Sequence, residues 1–443
     1  MFNIEGMHAF DLANWVAAHP QSALAELSTR GVTYTNAHTP VADPAAGLVA
    51  IATGGTPIST GIVGNNGFDR MLSSPGSQCT VNGATLTLDK SLETPAGDFD
   101  QGKLPLDPSN GCRPIAPHQL LRVNTIFEVV HEKIGPTAWA EENVATIDLL
   151  RGPSGKGLDD ACVFTASEAK EADRGRVDAV LHWVDGRDCK ETRTMPVPAL
   201  FGMSFTALSA AQAARGNGYR DGTGALSTAL DESFAFVDQS IGRILRELKD
   251  RRLYDSTWIF VTAAYGQAPV DQRMFRAIPL TRIVAVANTV KPGAVAHISG
   301  GDAAMVWLSD PAMAPAIVKA YEARAAALGI QDVLFGPRLT LTQNPPGTLA
   351  GQDPRMPDIM LQPQLGVSWI ASGDKSVAGY GGSLDQDTHV ALLVSGAQLT
   401  GRRDPTWVPT TQIAPLLLRA LGMEKFDLQA LHKEHTPALP GIF

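Results

Sequence analysis

The residues that could do chemistry sit where apolar runs end. Glu5 closes a short strand beginning at Asn3. Doubly wound sheets bind ligands at that carboxyl edge, and a dry carboxylate there titrates high and can act as general acid or base. Tyr265 lies in the turn Ala264-Tyr265-Gly266, directly after the apolar run Trp258–Thr262. Tyr380 stands before Gly381-Gly382. Each tyrosine carries a polar tip on an apolar body. As a pair they suit hydrogen bonding to a developing oxyanion or stacking on an aromatic substrate, and equally they suit filling volume. Asp43 precedes Pro44, an arrangement that first reads as a helix N-cap with proline at the first position.

The elements that must position these groups alternate. Helical spacing covers Phe10 to Ala18, restarts with Pro20 through Thr29, and returns from Asp43-Pro44 to the Gly54-Gly55 turn. Val32 to Asn36 is β-branched and extended. Leu121 to Val130 reads as a strand–helix unit. The clearest helix is Leu226 to Lys249, with Phe234, Val237, Ile241, Leu245 and Leu248 at three- and four-residue spacing. Later strand candidates are Ala304–Leu308, Asp358–Leu361, Val367–Ile370 and Val390–Ser395. This alternation implies an α/β fold with a mostly parallel sheet covered on both faces. Residues 62–120 are rich in Gly, Pro, Ser and Asn and read as a loop-rich insert. No repeat or linker divides the chain, so 1–443 is expected to be one domain.

Composition bounds the function. A net charge of −9 over 443 residues, with no basic run, argues against nucleic-acid binding. No apolar run approaches a membrane span, and the N-terminus lacks the pattern of a signal peptide. The expectation is a cytoplasmic protein handling a small molecule, with no membrane partner. Cys79, Cys112, Cys162 and Cys189 form no Cys-x-x-Cys pair. In the cytosol they would be free thiols, and Cys79 could pair with Cys112 if the protein were exported.

Several segments together resemble the alkaline phosphatase superfamily, in its type I phosphodiesterase/nucleotide pyrophosphatase-like branch. They are Glu5-Gly-Met-His-Ala-Phe-Asp11, Gly31-Val-Thr-Tyr-Thr-Asn36, Thr53-Gly-Gly-Thr-Pro-Ile-Ser-Thr-Gly61, Pro117 to Glu128, Gly152-Pro-Ser-Gly155, Phe201-Gly-Met203 and Gly381 to Ser395, closed by Thr411 to Pro415 and Leu421-Gly422. The resemblance implies a three-layer α/β/α sandwich across nearly the whole chain. It also implies two divalent metals held by Asp and His, and a Ser or Thr nucleophile at a helix N-terminus.

The positions that should carry this chemistry do not. Glu5 stands where the family's first metal-binding Asp is expected. The nucleophile position falls at Pro44 or Asp43, and no hydroxyl occurs from Asp43 through Leu48. Ala264-Tyr265 replaces an Asp-His or Lys-His pair, and Tyr380 replaces a further His. Ala140-Glu141-Glu142-Asn143 stands for Ser-Asp-Lys-His, Ser204-Phe-Thr-Ala-Leu208 for an Asp-x-x-x-His pair, and Asn65 for an Asp. Neutral tyrosine is a poor metal ligand, because its phenol titrates near 10. No cofactor is therefore expected.

The expected catalytic group is Glu5, Asp43, Tyr265 and Tyr380. Glu141, Asn143, Asn65, Gln267, His389 and Ser204 are expected to bind substrate. Each has a plainer reading: Asp43 as a cap, the adjacent acids Glu141 and Glu142 as a solvated face, His389 as a hydrogen-bonded structural residue. His8 and Asp11 read as orienting the first helix. His118, Arg122 and Asn124 read as structural, with Arg122 alternatively a fork for a substrate carboxylate. Such a pocket suits a metal-independent cyclisation, isomerisation, elimination or hydrolysis in specialised metabolism. The alternatives are a non-catalytic binding protein and a residual phosphodiesterase with unusual ligands.

Overall fold

The computed structural model describes residues 1–94, 98–340, 352–371, 373–423 and 427–443. Its centre is an eight-stranded sheet. In spatial order the strands are Arg402–Pro409, Gly31–His38, Leu392–Ser395, Ile259–Thr262, Phe2–Ile4, Leu200–Phe205, Thr137–Glu141 and Asp160–Val163. Neighbours run parallel except where Leu392–Ser395 is inserted antiparallel to both of its partners. That strand pairs Leu393 with Thr33 on one side and with Val261 on the other.

The central strands are buried on both faces, which is why Ile259–Thr262 and Leu392–Ser395 are short apolar runs, while the edge strand Arg402–Pro409 is polar and largely exposed. One face packs the helices Ala9–Ala18 and Thr228–Asp250, whose Phe234, Val237, Ile241, Leu245 and Leu248 all lie in that core. The other face packs Pro44–Thr53, Ile126–Lys133 and Ile413–Ala420 around Leu48, Ile126, Trp139 and Phe260. The result is the expected three-layer α/β/α sandwich.

Several elements differ from the sequence reading. The second helix begins at Ala23, capped by the Ser22 hydroxyl, which accepts from Ala25 N at 3.1 Å. Pro20 lies before the cap. No strand forms at 121–125; the helix Ile126–Lys133 starts after a capping box of Thr125 and Glu128. The 62–120 segment holds a four-stranded sheet, Asn82–Thr87, Asn66–Ser73, Leu106–Asp107 and Arg113–Pro114 in spatial order. It packs Leu72, Ala84 and Leu86 inward, and strands this short give little periodic signal.

Ala304–Leu308 and Ile359–Pro363 are strands, but not of the main sheet. They lie in an antiparallel sheet of Val295–Ser299, Ala304–Leu308, Ile359–Pro363 and Ile330–Phe335. Helices Leu280–Val290 and Ala314–Glu322 pack on it through Ile283, Val286 and Ile317. Val367–Ile370 pairs in parallel with Arg276–Pro279. An apolar run reveals a strand without revealing which sheet receives it.

The cysteines form two disulfides, Cys79–Cys112 and Cys162–Cys189, with Cα separations of 5.9 and 6.5 Å. The free-thiol expectation is corrected. Both separations fall in the range a disulfide needs, and the partners are brought together by tertiary structure that spacing along the chain does not show. Among the described residues, no helix is long and apolar enough to cross a membrane.

Candidate functional site

Three carboxyl-edge turns of the main sheet meet the antiparallel subdomain around a cavity of about 810 Å³. Glu5, Asp43, Asn65, Glu141, Asn143, Tyr265, Gln267 and Tyr380 line it together. His297, Gly301 and Trp369 form its far wall.

Glu5 is at the floor. Its strand ends because Gly6 turns at φ 78°, and Gly6 N donates to Tyr265 O at 3.1 Å. That bond locks the Glu5 and Tyr265 turns side by side. The Tyr265 hydroxyl donates to Glu5 Oε2 at 2.9 Å, and Ser209 Oγ reaches the same oxygen at 3.4 Å. Among the described residues no donor reaches Oε1. Burial pushes the Glu5 carboxyl well above its usual range, and the Glu142 and Glu141 carboxylates push the same way. The same burial holds the Tyr265 phenol firmly protonated.

Tyr380 tilts against Tyr265, ring centroids 4.9 Å apart at 49°. Asn65 Nδ2 donates to the Tyr380 hydroxyl at 3.5 Å. Burial raises this phenol too, so it keeps its proton and can donate it. Glu5, Tyr265 and Tyr380 thus form one contiguous group: an elevated acid, its hydrogen-bond partner and a second donor.

Asp43 performs the plainer of its two roles. Its Oδ1 accepts from Ala45 N and Ala46 N at 3.0 Å each, and its Oδ2 from Asn65 N at 2.9 Å. It caps Pro44–Thr53 and ties down the turn that carries Asn65. Both oxygens are engaged, so we remove it from the catalytic group. Asn143 likewise caps Val144–Leu150, accepting from Thr146 N at 2.9 Å.

Glu141 is no solvated acid. It is 1% exposed and accepts from Trp139 Nε1 at 3.0 Å, Ser204 Oγ at 2.6 Å and Glu142 N at 2.9 Å. Ser204 lies behind it, spent on Glu141 and on Asn3 Nδ2, and does not reach the cavity. Its expected substrate role is corrected. His389 is also outside the cavity: Nε2 bonds Thr35 O at 2.9 Å and the ring stacks on His38 at 4.7 Å. The main chain rotates it away, since Ala391 N bonds Met7 O just beyond it. Arg122 does use its fork, on the protein's own Asp353 at 2.7 and 2.9 Å. His8 and Asp11 orient the first helix, with His8 N donating to Asp11 Oδ2 at 2.9 Å.

Sequence reading missed Ser209 and the far wall. Ser209 is the residue directly after the Ser204–Leu208 segment and faces Glu5. Only an amphipathic count over Ala207–Ala213 would have shown it. His297 and Trp369 come from elements whose sheet was not foreseen.

A family model described as type I phosphodiesterase / nucleotide pyrophosphatase matches residues 1–389. The chain belongs to this family. Among solved structures, murine ectonucleotide pyrophosphatase / phosphodiesterase 5 is similar at 14% identity and TM-score 0.63, covering 95% of this chain and 94% of that one. The human protein of that name is similar at 15% identity and TM-score 0.62, with the same coverage. Wild-type alkaline phosphatase PafA is similar at 11% identity and TM-score 0.59, covering 96% and 98%. These likenesses concern the fold. No curated protein sequence matches the chain.

The family implies a dimetal centre, and the residues at this edge do not fit one. Two clusters of potential ligand atoms occur among the described residues, His38 with Asp385 and His389, and Asp160 with Cys162 and Cys189, whose sulfurs are joined in a disulfide. Neither lines the cavity. At the floor Glu5 meets tyrosine hydroxyls where imidazoles would be needed.

Proposed function

We propose that the chain is a metal-independent enzyme that converts a small organic molecule by acid–base and hydrogen-bond catalysis. The observation that carries this reading is the Tyr265–Glu5 bond, with Tyr380 packed beside it and Glu5 Oε1 left to the cavity. Glu5 above its raised titration point takes a proton from substrate through Oε1. Below that point it delivers one. Tyr265 holds Oε2 and so orients the carboxyl plane. Tyr380 donates to oxygen on which charge develops, a role worth several kcal/mol in a dry site. Cyclisation, isomerisation, elimination and hydrolysis can each be assisted by such a proton transfer, which removes the substrate proton or protonates the leaving group, with water as the nucleophile in hydrolysis. Specialised metabolism is the setting we assign, and a surrounding biosynthetic gene cluster would support it.

Glu5→Gln and Tyr265→Phe should abolish or sharply reduce the native pathway's product yield in the host. Unchanged yield in both would leave a binding protein on this scaffold. Stoichiometric zinc or manganese in the purified protein, lost together with turnover on chelation, would return the chain to metal-dependent phosphodiester chemistry.

The two disulfides support an oxidising compartment over the cytosol. Alkylation of the denatured protein without reductant should find no free thiol; four free thiols would favour the cytosol.

A further inference from the structure

The ionisable side chains lining the cavity are mostly acids. Glu5, Asp43, Asp89, Glu141, Glu142 and Asp374 all line it. Against them the lining offers Lys90, already paired with Glu142 at 3.2 Å, and His297. Burial lowers the His297 imidazole to about 4, so it is neutral at pH 7. Arg176 lies behind the floor, fully buried, committed to Asp173, Thr206 and Phe164 O. A cleft lined by one sign focuses its field and enriches ligands of the other.

Charge alone does not make a site, but the hydrogen bonding of Glu5 agrees with it. Glu5 is 7% exposed and lines the cavity, and among the described residues both of its donors, Tyr265 and Ser209, go to Oε2, leaving Oε1 to accept from a ligand. The main phenolic donor, Tyr265, is already spent on Glu5. Beside Glu5, Tyr265 and Tyr380 line the cavity as a tilted pair, and an aromatic ring attracts a cation within about 6 Å of its centroid. Phe164, Phe275 and Trp369 extend the apolar wall outward.

We propose that this cavity selects a protonated amine with an aromatic or flat apolar body, its ammonium group seated against Glu5 and the Tyr265–Tyr380 rings. The proposal rests on the acid–base reading of the same site and names its substrate class. It also explains what the acids do. An ammonium ion offsets the cost of ionised carboxylates in a dry cleft, whereas a phosphate ester would meet the same sign of charge.

The test is equilibrium binding by calorimetry to the full chain at pH 8, so that turnover is not the readout. The probes are 2-phenylethylamine, 2-phenylethanol, phenylacetate and phenyl phosphate. We expect the amine to bind at least about tenfold more tightly than the alcohol, and the two anions not to bind. Affinity for the amine should fall severalfold between about 0.05 and about 0.5 M salt. It should fall about tenfold in Glu5→Gln and less in Glu142→Gln. Circular dichroism of both variants confirms folding. Equal binding of amine and alcohol, tighter binding of either anion, or no binding by the amine overturns the proposal. A lost amine preference with Glu5 still required for product yield sinks this inference alone. A retained preference with normal yield in Glu5→Gln sinks the catalytic reading alone.

Discussion

Two buried carboxylates lie near one another and behave in opposite ways. Asp173 is fully buried and ion-paired to Arg176, and it accepts from Thr206 N and Ala207 N at 3.0 Å each. Glu5 is nearly as buried, yet it receives one good hydrogen bond, from a neutral phenol, on one oxygen. Burial raises both carboxyls, but at Asp173 Arg176 and the backbone donors pull against it, while at Glu5 neighbouring acids reinforce it. A buried charge surrounded by partners fastens the fold. A buried charge left half-satisfied by its own chain is poised to react with something else.

The sharpest way to break the comparison is at its structural pole. Asp173→Ala leaves Arg176 buried and unpaired, and should cost about 3–5 kcal/mol in chemical denaturation. A loss below about 1 kcal/mol would mean that Asp173 is no anchor.

At the reactive pole, Glu5→Gln should lower product formation by about 10²–10⁴-fold, yet stabilise the protein at pH 8. The sign follows from linkage. Folding raises the Glu5 carboxyl above its ordinary value of 4.5, so the folded state holds the proton longer. Its stability contribution is complete below pH 4.5 and is lost as pH climbs through the raised value. The amide removes that decline. A steeper loss of stability with rising pH in the variant contradicts this.

Tyr265→Phe removes one hydrogen bond, worth about 1 kcal/mol. It leaves Glu5 Oε2 only the longer contact to Ser209, so the acid should titrate still higher. The alkaline shift of the pH–rate profile is the readout, and an acid shift would refute the orientation we assign.

A smaller effect separates the floor from a second acid pair. Asp302 and Asp387 are both buried, and Asp387 is pushed up to about 7 by burial. Burial and the neighbouring Asp387 carboxylate push the Asp302 carboxyl well above its usual range. Asp302→Asn should raise the melting temperature by about 1–2 °C above pH 7 and change little below pH 4.

How much of this was legible beforehand depended on what fixes each residue. Asp43-Pro44, the Phe234 to Leu248 stripe and the Trp258–Thr262 run announce themselves through local rules, and they form as read. Glu5 and Tyr265 follow from lying at or just past the carboxyl ends of adjacent strands, directly before a glycine, and Tyr380 from its place before Gly381-Gly382 in a segment outside any strand. Ser204 and His389 fail because strand alternation and long-range pairing decide which way a side chain points. One residue of register sends it behind the wall. His297, Trp369 and the Cys162–Cys189 disulfide depend on contacts between separate segments, where no local pattern reports, whereas Cys79–Cys112 lies within one loop-rich stretch and is open to the sequence as an alternative.

The antiparallel strand Leu392–Ser395 has a consequence in time. It is the bridge between Gly31–His38 and Ile259–Thr262, so the outer part of the main sheet has no strand pairing to the rest until that late segment arrives. During synthesis the Gly31–His38 strand waits as an open edge while more than three hundred further residues emerge. Such non-local closure slows folding, and an exposed strand edge invites aggregation. A chain stopped just before residue 392 would therefore be expected to need a chaperone more than the finished protein does.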